Sequence, residues 1–163
     1  TCILSDTLEF RSPTTTSHDR WVAEKLGAAL GVSIPEYATE MFTAKSDVSA
    51  FSDTALLKMD SKEYTLGGKQ MRISVLETTA PQVLLDRKAQ LLAAMPGVAA
   101  EDGADEVMLF IVDILNERST LLVPNDFVRA VAAASFGVPV EGDSVVLPGV
   151  VSRKKQIIPA LKL

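Results

Sequence analysis

Apolar and polar positions along the chain change period several times, and each change marks an element. Cys2-Ile3-Leu4 is a short apolar run closed by Ser5-Asp6-Thr7, which reads as a strand with a carboxylate at its C-terminal edge. Arg11-Ser12-Pro13 and the Thr/Ser cluster behind it read as a loop. Thr16 and Asp19 then stand at capping-box spacing, Val22, Leu26 and Leu30 recur at helical spacing, and Gly31 supplies a stop. A second helix is expected from Pro35, with Tyr37, Met41 and Phe42 on one side. The polar stretch Ser46 to Ser49 reads as a joint, and Ser52 or Asp53 can cap a further short helix carrying Leu56, Leu57 and Met59.

Beyond that helix the period becomes that of strands. Tyr64 to Leu66 and Met71 to Leu76 flank Gly67-Gly68, a two-residue hairpin signal. Pro81 opens a helix striped by Leu84, Leu85, Leu91, Leu92 and Met95, which Pro96-Gly97 is expected to end. Val107 to Val112 is apolar without alternation, the pattern of a strand buried on both faces. It is far too short to cross a bilayer. Thr120 to Val123 reads as another strand. Asn125 caps a helix running to Ser135 with Gly137 just past its end, and Ser144 to Leu147 precedes a Pro148-Gly149 turn. The alternation predicts an α/β domain over residues 53–163, a linker over 47–52 and a mainly helical segment over 1–46.

Composition narrows the function classes. An apolar content of 47% excludes a disordered chain. No charged-then-apolar leader opens the sequence, so nothing argues for export, and the single cysteine, Cys2, precludes an intrachain disulfide and fits a reducing cytoplasm. A net charge of -5 argues against nucleic acid as a partner. That total hides an asymmetry: beyond Asp143 there is no acidic side chain, while Arg153, Lys154, Lys155 and Lys162 all lie there. An acidic protein with a compact basic end suggests a small anion site. With one histidine, His18, a multinuclear metal site inside this chain would need carboxylates alone or ligands from elsewhere.

The strongest local candidate is Gly149-Val150-Val151-Ser152-Arg153-Lys154-Lys155-Gln156. Phosphoryl oxygens favour charge-assisted donors, and arginine presents a planar fork to two of them. The same run also reads as a solvated basic helix start. Asp6 is placed as metal-ligating carboxylates often are in open sheets. Its Ser-Asp-Thr tripeptide recurs at Ser52-Asp53-Thr54, however, where it reads as a cap. Lys62 alone is an ordinary surface lysine, His18 reads as solvent-facing, and Asp113, interrupting a buried run, reads as a structural acceptor.

Taken in order, Ile3 to Leu8, Ser12-Pro13-Thr14, Lys58-Met59-Asp60 with Lys62 to Leu66, and Pro148 to Gln156 resemble one family. The series is similar to the C-terminal half of family II, manganese-dependent inorganic pyrophosphatases of the DHH phosphoesterase superfamily. The resemblance implies a small mixed-sheet DHHA2 domain with flanking helices, preceded by a mainly helical remnant of the DHH domain. It implies that Asp6 ligates metal and that Lys62, Arg153 and Lys154 bind substrate oxygens, with Arg153 and Lys154 assisting catalysis. It further implies Mn²⁺ (with Mg²⁺ or Co²⁺ as substitutes), pyrophosphate as substrate and a homodimeric, cytoplasmic parent with no nucleic-acid or membrane partner. In such an enzyme the metals activate a water, and the DHHA2 domain closes over the site.

The family's Asp-His-His motif is absent from this sequence. The chain is therefore expected to be a truncated or proteolytic piece of a longer protein and inactive by itself. An exopolyphosphatase-like hydrolase and a non-catalytic anion-binding regulatory module are the alternatives.

Overall fold

The computed structural model describes residues 1–163. Three helices come first: α1 (Cys2–Asp6), α2 (Ser17–Leu30) and α3 (Ile34–Lys45). Then follow α4 (Asp53–Met59), the hairpin β1 (Ser61–Leu66) and β2 (Lys69–Thr78), α5 (Pro81–Leu85), α6 (Lys88–Asp102), β3 (Glu106–Asp113), β4 (Arg118–Leu122), α7 (Asp126–Phe136) and β5 (Ser144–Pro148). A π-helical turn, Arg153–Ile157, runs into the short α8 (Ile158–Ala160).

The strands form one five-stranded sheet in the order β1-β2-β3-β4-β5. Only β2 and β3 pair in parallel, with Ile73 opposite Met108 and Val75 opposite Phe110; every other neighbour is antiparallel. Short turns join the antiparallel pairs β1–β2 and β3–β4, the crossover through α5 and α6 returns β3 parallel to β2, and the connection through α7 brings β5 back antiparallel to β4.

The unbroken apolar run in β3 has a direct cause. Met108, Phe110 and Val112 face one core while Val107, Leu109 and Ile111 face another. The second core is closed by Leu56 and Leu57 of α4, Leu84 of α5, and Leu91, Met95 and Val98 of α6. The first is closed by Val128, Val131 and Ala132 of α7, by Val151 and Ile157 around the basic turn, and by Leu4, Leu8, Ala23, Ala38 and Phe42 from the N-terminal helices. The helical segment thus packs on the sheet face that also carries the basic turn.

Three sequence expectations fail. Cys2-Ile3-Leu4 is helical, so Asp6 ends a short helix and not a strand; Leu4 packs inward with Ala38 and Phe42, and no strand lies beside the segment to pair with it. The helix expected from Pro81 is two helices, α5 and α6. At the break Arg87 reaches back to Asp53 (2.8 Å) and to the Phe51 carbonyl (2.9 Å), fixing the 47–52 segment. Finally, Pro96 does not end α6, which continues to Asp102 and stops at Gly103 in the left-handed conformation (φ 65°). An interior proline costs about 3 kcal/mol. Val98, buried in register with Leu91 and Met95, offsets roughly 1.5–3 kcal/mol of it, and Lys58 and Arg72 hold the final Asp102.

Candidate active site

The segment from Gly149 to Gln156 is a built loop. Ser152 caps the π-helical turn, its hydroxyl accepting from the Lys155 backbone N–H. Gln156 staples the loop from inside: its Oε1 accepts from the Val151 and Ser152 backbone N–H groups (2.9 and 3.0 Å), and its Nε2 donates to the Gly149 carbonyl (2.6 Å). The Ser152 carbonyl accepts from both the Gln156 and Ile157 backbone N–H groups, the second being the wide i→i+5 bond. Such single-turn π segments are uncommon and often sit at functional sites. Ile157, fully buried, anchors the far end of the turn in the first core.

This scaffold sends Arg153 across to the hairpin. Nη2 donates to Asp60 Oδ1 (2.7 Å), and Nη1 donates to the Asp60 carbonyl (2.8 Å) and, at 3.5 Å, to the Ile73 carbonyl. The Arg153 side chain is only 14% exposed, whereas Asp60 is 53% exposed. A guanidinium held this firmly has little freedom left to lose when it meets a ligand. Lys154 and Lys155 beside it are exposed.

Lys62 stands on β1 opposite Ile73, the residue whose carbonyl Arg153 approaches. Strand alternation puts it on the same face as Tyr64 and Leu66, which pack on the first core, and hence on the face of the basic turn. The sheet therefore brings Lys62 and Arg153 to one edge and one face, a proximity invisible in residues ninety positions apart. The next residue, Glu63, points the other way and pairs with Arg72 (2.6 Å).

Asp6 is exposed, at the end of α1, on a distinct scaffold. The chain behind it turns through Leu8, Glu9 and Phe10, all at positive φ (50°, 51° and 69°). Each such residue costs about 1–2 kcal/mol, so the turn persists because its surroundings hold it. Leu8 is buried, Thr7 Oγ1 donates to the Ile3 carbonyl and accepts from the Phe10 backbone N–H, and Arg20 donates to the Phe10 carbonyl. Thr14 Oγ1 donates to the Asp6 carbonyl (3.4 Å) and hydrogen-bonds Ser12 Oγ, so Ser12-Pro13-Thr14 braces the residue from behind. No hydrogen bond or ion pair joins Asp6 to Lys62, Arg153 or Lys154. No group of three or more His, Cys, Asp or Glu side chains is assembled to hold a metal ion. The Asp6 carboxylate is of the donor type that suits a hard divalent cation.

A profile of the DHHA2 domain matches residues 39–163. The chain belongs to the DHHA2 domain family. The matched span begins within α3 and includes both Lys62 and the Arg153 turn, while Asp6 lies before it. Over 165 residues the DHHA2 chain is 43% identical to a probable manganese-dependent inorganic pyrophosphatase of Deinococcus radiodurans, covering 98% of this chain and 52% of that protein. It is 38% identical over 160 residues to the manganese-dependent inorganic pyrophosphatase of Bacillus subtilis, with 98% and 51% covered. A crystal structure of a Methanococcus jannaschii protein assigned to the family II inorganic pyrophosphatases superimposes with a TM-score of 0.85 at 35% identity, covering 97% of this chain and 51% of that one. The chain spans about half the length of the curated relatives it matches.

Two residues escaped the sequence reading as individuals. Gln156 stood inside the basic run without a role, and its place in the loop needs the fold. Asp60 stood two positions before Lys62, and nothing local links it to an arginine 93 positions away. Asp113 is as expected: it is buried and accepts from the Asn116 backbone N–H (3.1 Å) and side-chain amide (2.8 Å), closing the β3–β4 turn. His18 is exposed and stacks on Trp21.

Proposed function

We propose that this chain is the phosphate-clamping part of a manganese-dependent inorganic pyrophosphatase that hydrolyses pyrophosphate to two phosphates. The observation that carries the reading is Arg153, fixed against Asp60 just ahead of β1 and against Ile73 of β2, with Lys154 beside it and Lys62 on the same face and edge. Arg153 would bind two oxygens of one phosphoryl group, and Lys154 and Lys62 would add point charges to the remaining oxygens. Together they neutralise negative charge on the transferring and leaving groups, the usual contribution of the protein to phosphoryl transfer.

In this reading residues 53–163 form the clamp domain and residues 1–46 are the end of a neighbouring metal-bearing domain, joined through 47–52. Asp6 would be one metal ligand, with the remaining ligands on residues outside this chain. The similarity to manganese-dependent pyrophosphatases runs across both regions.

The test is direct. The 163-residue chain should bind pyrophosphate and, more weakly, phosphate. Arg153→Ala should weaken pyrophosphate binding by about tenfold or more, as loss of a bidentate charged contact does. Calorimetric titration reads both, and unchanged affinity would remove the clamp. With Mn²⁺ the chain by itself should release no phosphate from pyrophosphate; turnover would show that it carries a complete centre. In a longer protein containing it, turnover should be faster on pyrophosphate than on long-chain polyphosphate, and the reverse would favour an exopolyphosphatase.

A further inference from the structure

We infer that Asp60 is a positioning residue: it occupies the outer edge of the Arg153 guanidinium and so fixes the opposite edge, Nε–H with the remaining Nη2–H, as the one that meets a phosphoryl group. The inference rests on the clamp reading above and adds to it which edge of the arginine binds and what holds it there.

The argument is one of donor accounting. A guanidinium has two hydrogens on each Nη and one on Nε. Here Nη1 spends both, on the Asp60 and Ile73 carbonyls, and Nη2 spends one, on Asp60 Oδ1. Asp60 therefore grips the Nη1–Nη2 edge with its backbone and side-chain oxygens at once. The hydrogens left over, on Nη2 and Nε, lie parallel on the other edge, which is the fork that matches two oxygens of a phosphate. The grip is itself anchored, because the Asp60 carbonyl also accepts from the Val75 backbone N–H (2.9 Å) and extends the β1–β2 ladder. Asp60 is half exposed, so the carboxylate does not need Arg153 to escape burial. A negative charge near an anion site costs binding energy, which makes its orienting effect the reason to expect it there.

The test titrates the 163-residue chain, labelled at its arginine nitrogens, with pyrophosphate and, in a second arm, with inorganic phosphate. In the unaltered chain the Arg153 Nη groups should rotate slowly before any ligand is added, and pyrophosphate should shift the Nε–H resonance. Asp60→Ala, which removes only the Oδ1 acceptor, should release the rotation of Nη2 while Nη1 stays on its two carbonyls, and weaken pyrophosphate binding by about tenfold. Asp60→Asn, whose amide oxygen still accepts from Nη2, should restore both to within about threefold. Asp60→Glu keeps the charge but displaces the acceptor and should weaken binding as the alanine variant does; it decides the matter if the alanine variant fails to fold. Affinity and Nη2 rotation unchanged in the alanine and glutamate variants would overturn the proposal. So would tighter binding in both the alanine and asparagine variants, which would make Asp60 a mere counter-charge. If Arg153→Ala itself leaves affinity unchanged, the clamp reading falls. If Arg153→Ala weakens binding and the Asp60 variants do not, only the positioning role falls.

Discussion

Helix α2 is capped at both ends, by the Thr16–Asp19 capping box and by Gly31 in the left-handed conformation, yet the only residue it buries is Ala23. Helix α6, one residue longer, has no side-chain cap at its start and a proline inside, yet buries Leu91, Met95 and Val98. In α2 the large apolar residues Trp21, Leu26 and Leu30 are 57%, 53% and 73% exposed. Leu26 and Leu30 line an apolar groove with Ile3, Val32 and Ile34. The local signals that make a helix easy to read and the burial that makes it stable are therefore separate properties, and this chain divides them between two helices. In α6 burial overrides a strong local stop signal. In α2 the caps define the ends, and little tertiary packing within the chain supports the middle.

Substitutions sharpen the contrast in descending order of effect. Leu91→Ala, in the fully buried stripe of α6, should lower global stability by about 3 kcal/mol, within the usual range for emptying a core site. Urea unfolding followed by circular dichroism measures it, and a loss below about 1 kcal/mol would mean that α6 is not the main cover of its core. Thr16→Ala should cost about 1 kcal/mol through loss of the cap. Amide hydrogen exchange should show that loss in α2 and leave the protection of α6 unchanged.

A pH titration separates the two helices without mutation. The Thr16 side-chain and backbone hydrogen bonds hold the Asp19 carboxyl below its ordinary value of 3.8. A depressed carboxyl contributes stability above its unfolded value and loses it as pH falls through the folded one. Exchange protection in α2 should therefore be constant from neutral pH down to the ordinary carboxylate range and fall below it. The start of α6, which has no acidic residue in its first turn, should not follow the same curve. Loss of α2 protection already near neutral pH would break the assignment. Leu26→Ala should change stability by less than about 0.5 kcal/mol, as exposed positions do; a larger loss in the same urea assay would mean that its side chain is covered in solution.

Legibility of the site followed the same division. Arg153 and Lys154 stood out because three consecutive basic residues after a turn are a local pattern; that Ser152 caps the turn came from the structure. Lys62 was legible only through resemblance, because a lysine on an edge strand has no local mark. Asp60 was not singled out, since its role arises from the pairing of β1 with β2 and the return of the chain to β2 after β5. The segment before Asp6 was misread as structure: an apolar triplet has no period long enough to distinguish strand from helix.

By itself the sequence determined the ends of α2 and α7, the two-glycine hairpin turn, the doubly buried central strand and the basic turn. Each is written in residues close together along the chain, where caps, turn chemistry and side-chain period act. Only the tertiary structure decided that α6 would run through Pro96, that the N-terminal helices would share a core with the basic turn, and that Asp60 would take one edge of Arg153 and leave the other free. Those outcomes depend on which surfaces meet. Burial of a few large side chains is worth as much as the strongest local signal, and a hydrogen bond between residues 93 positions apart exists only once the sheet has closed the distance.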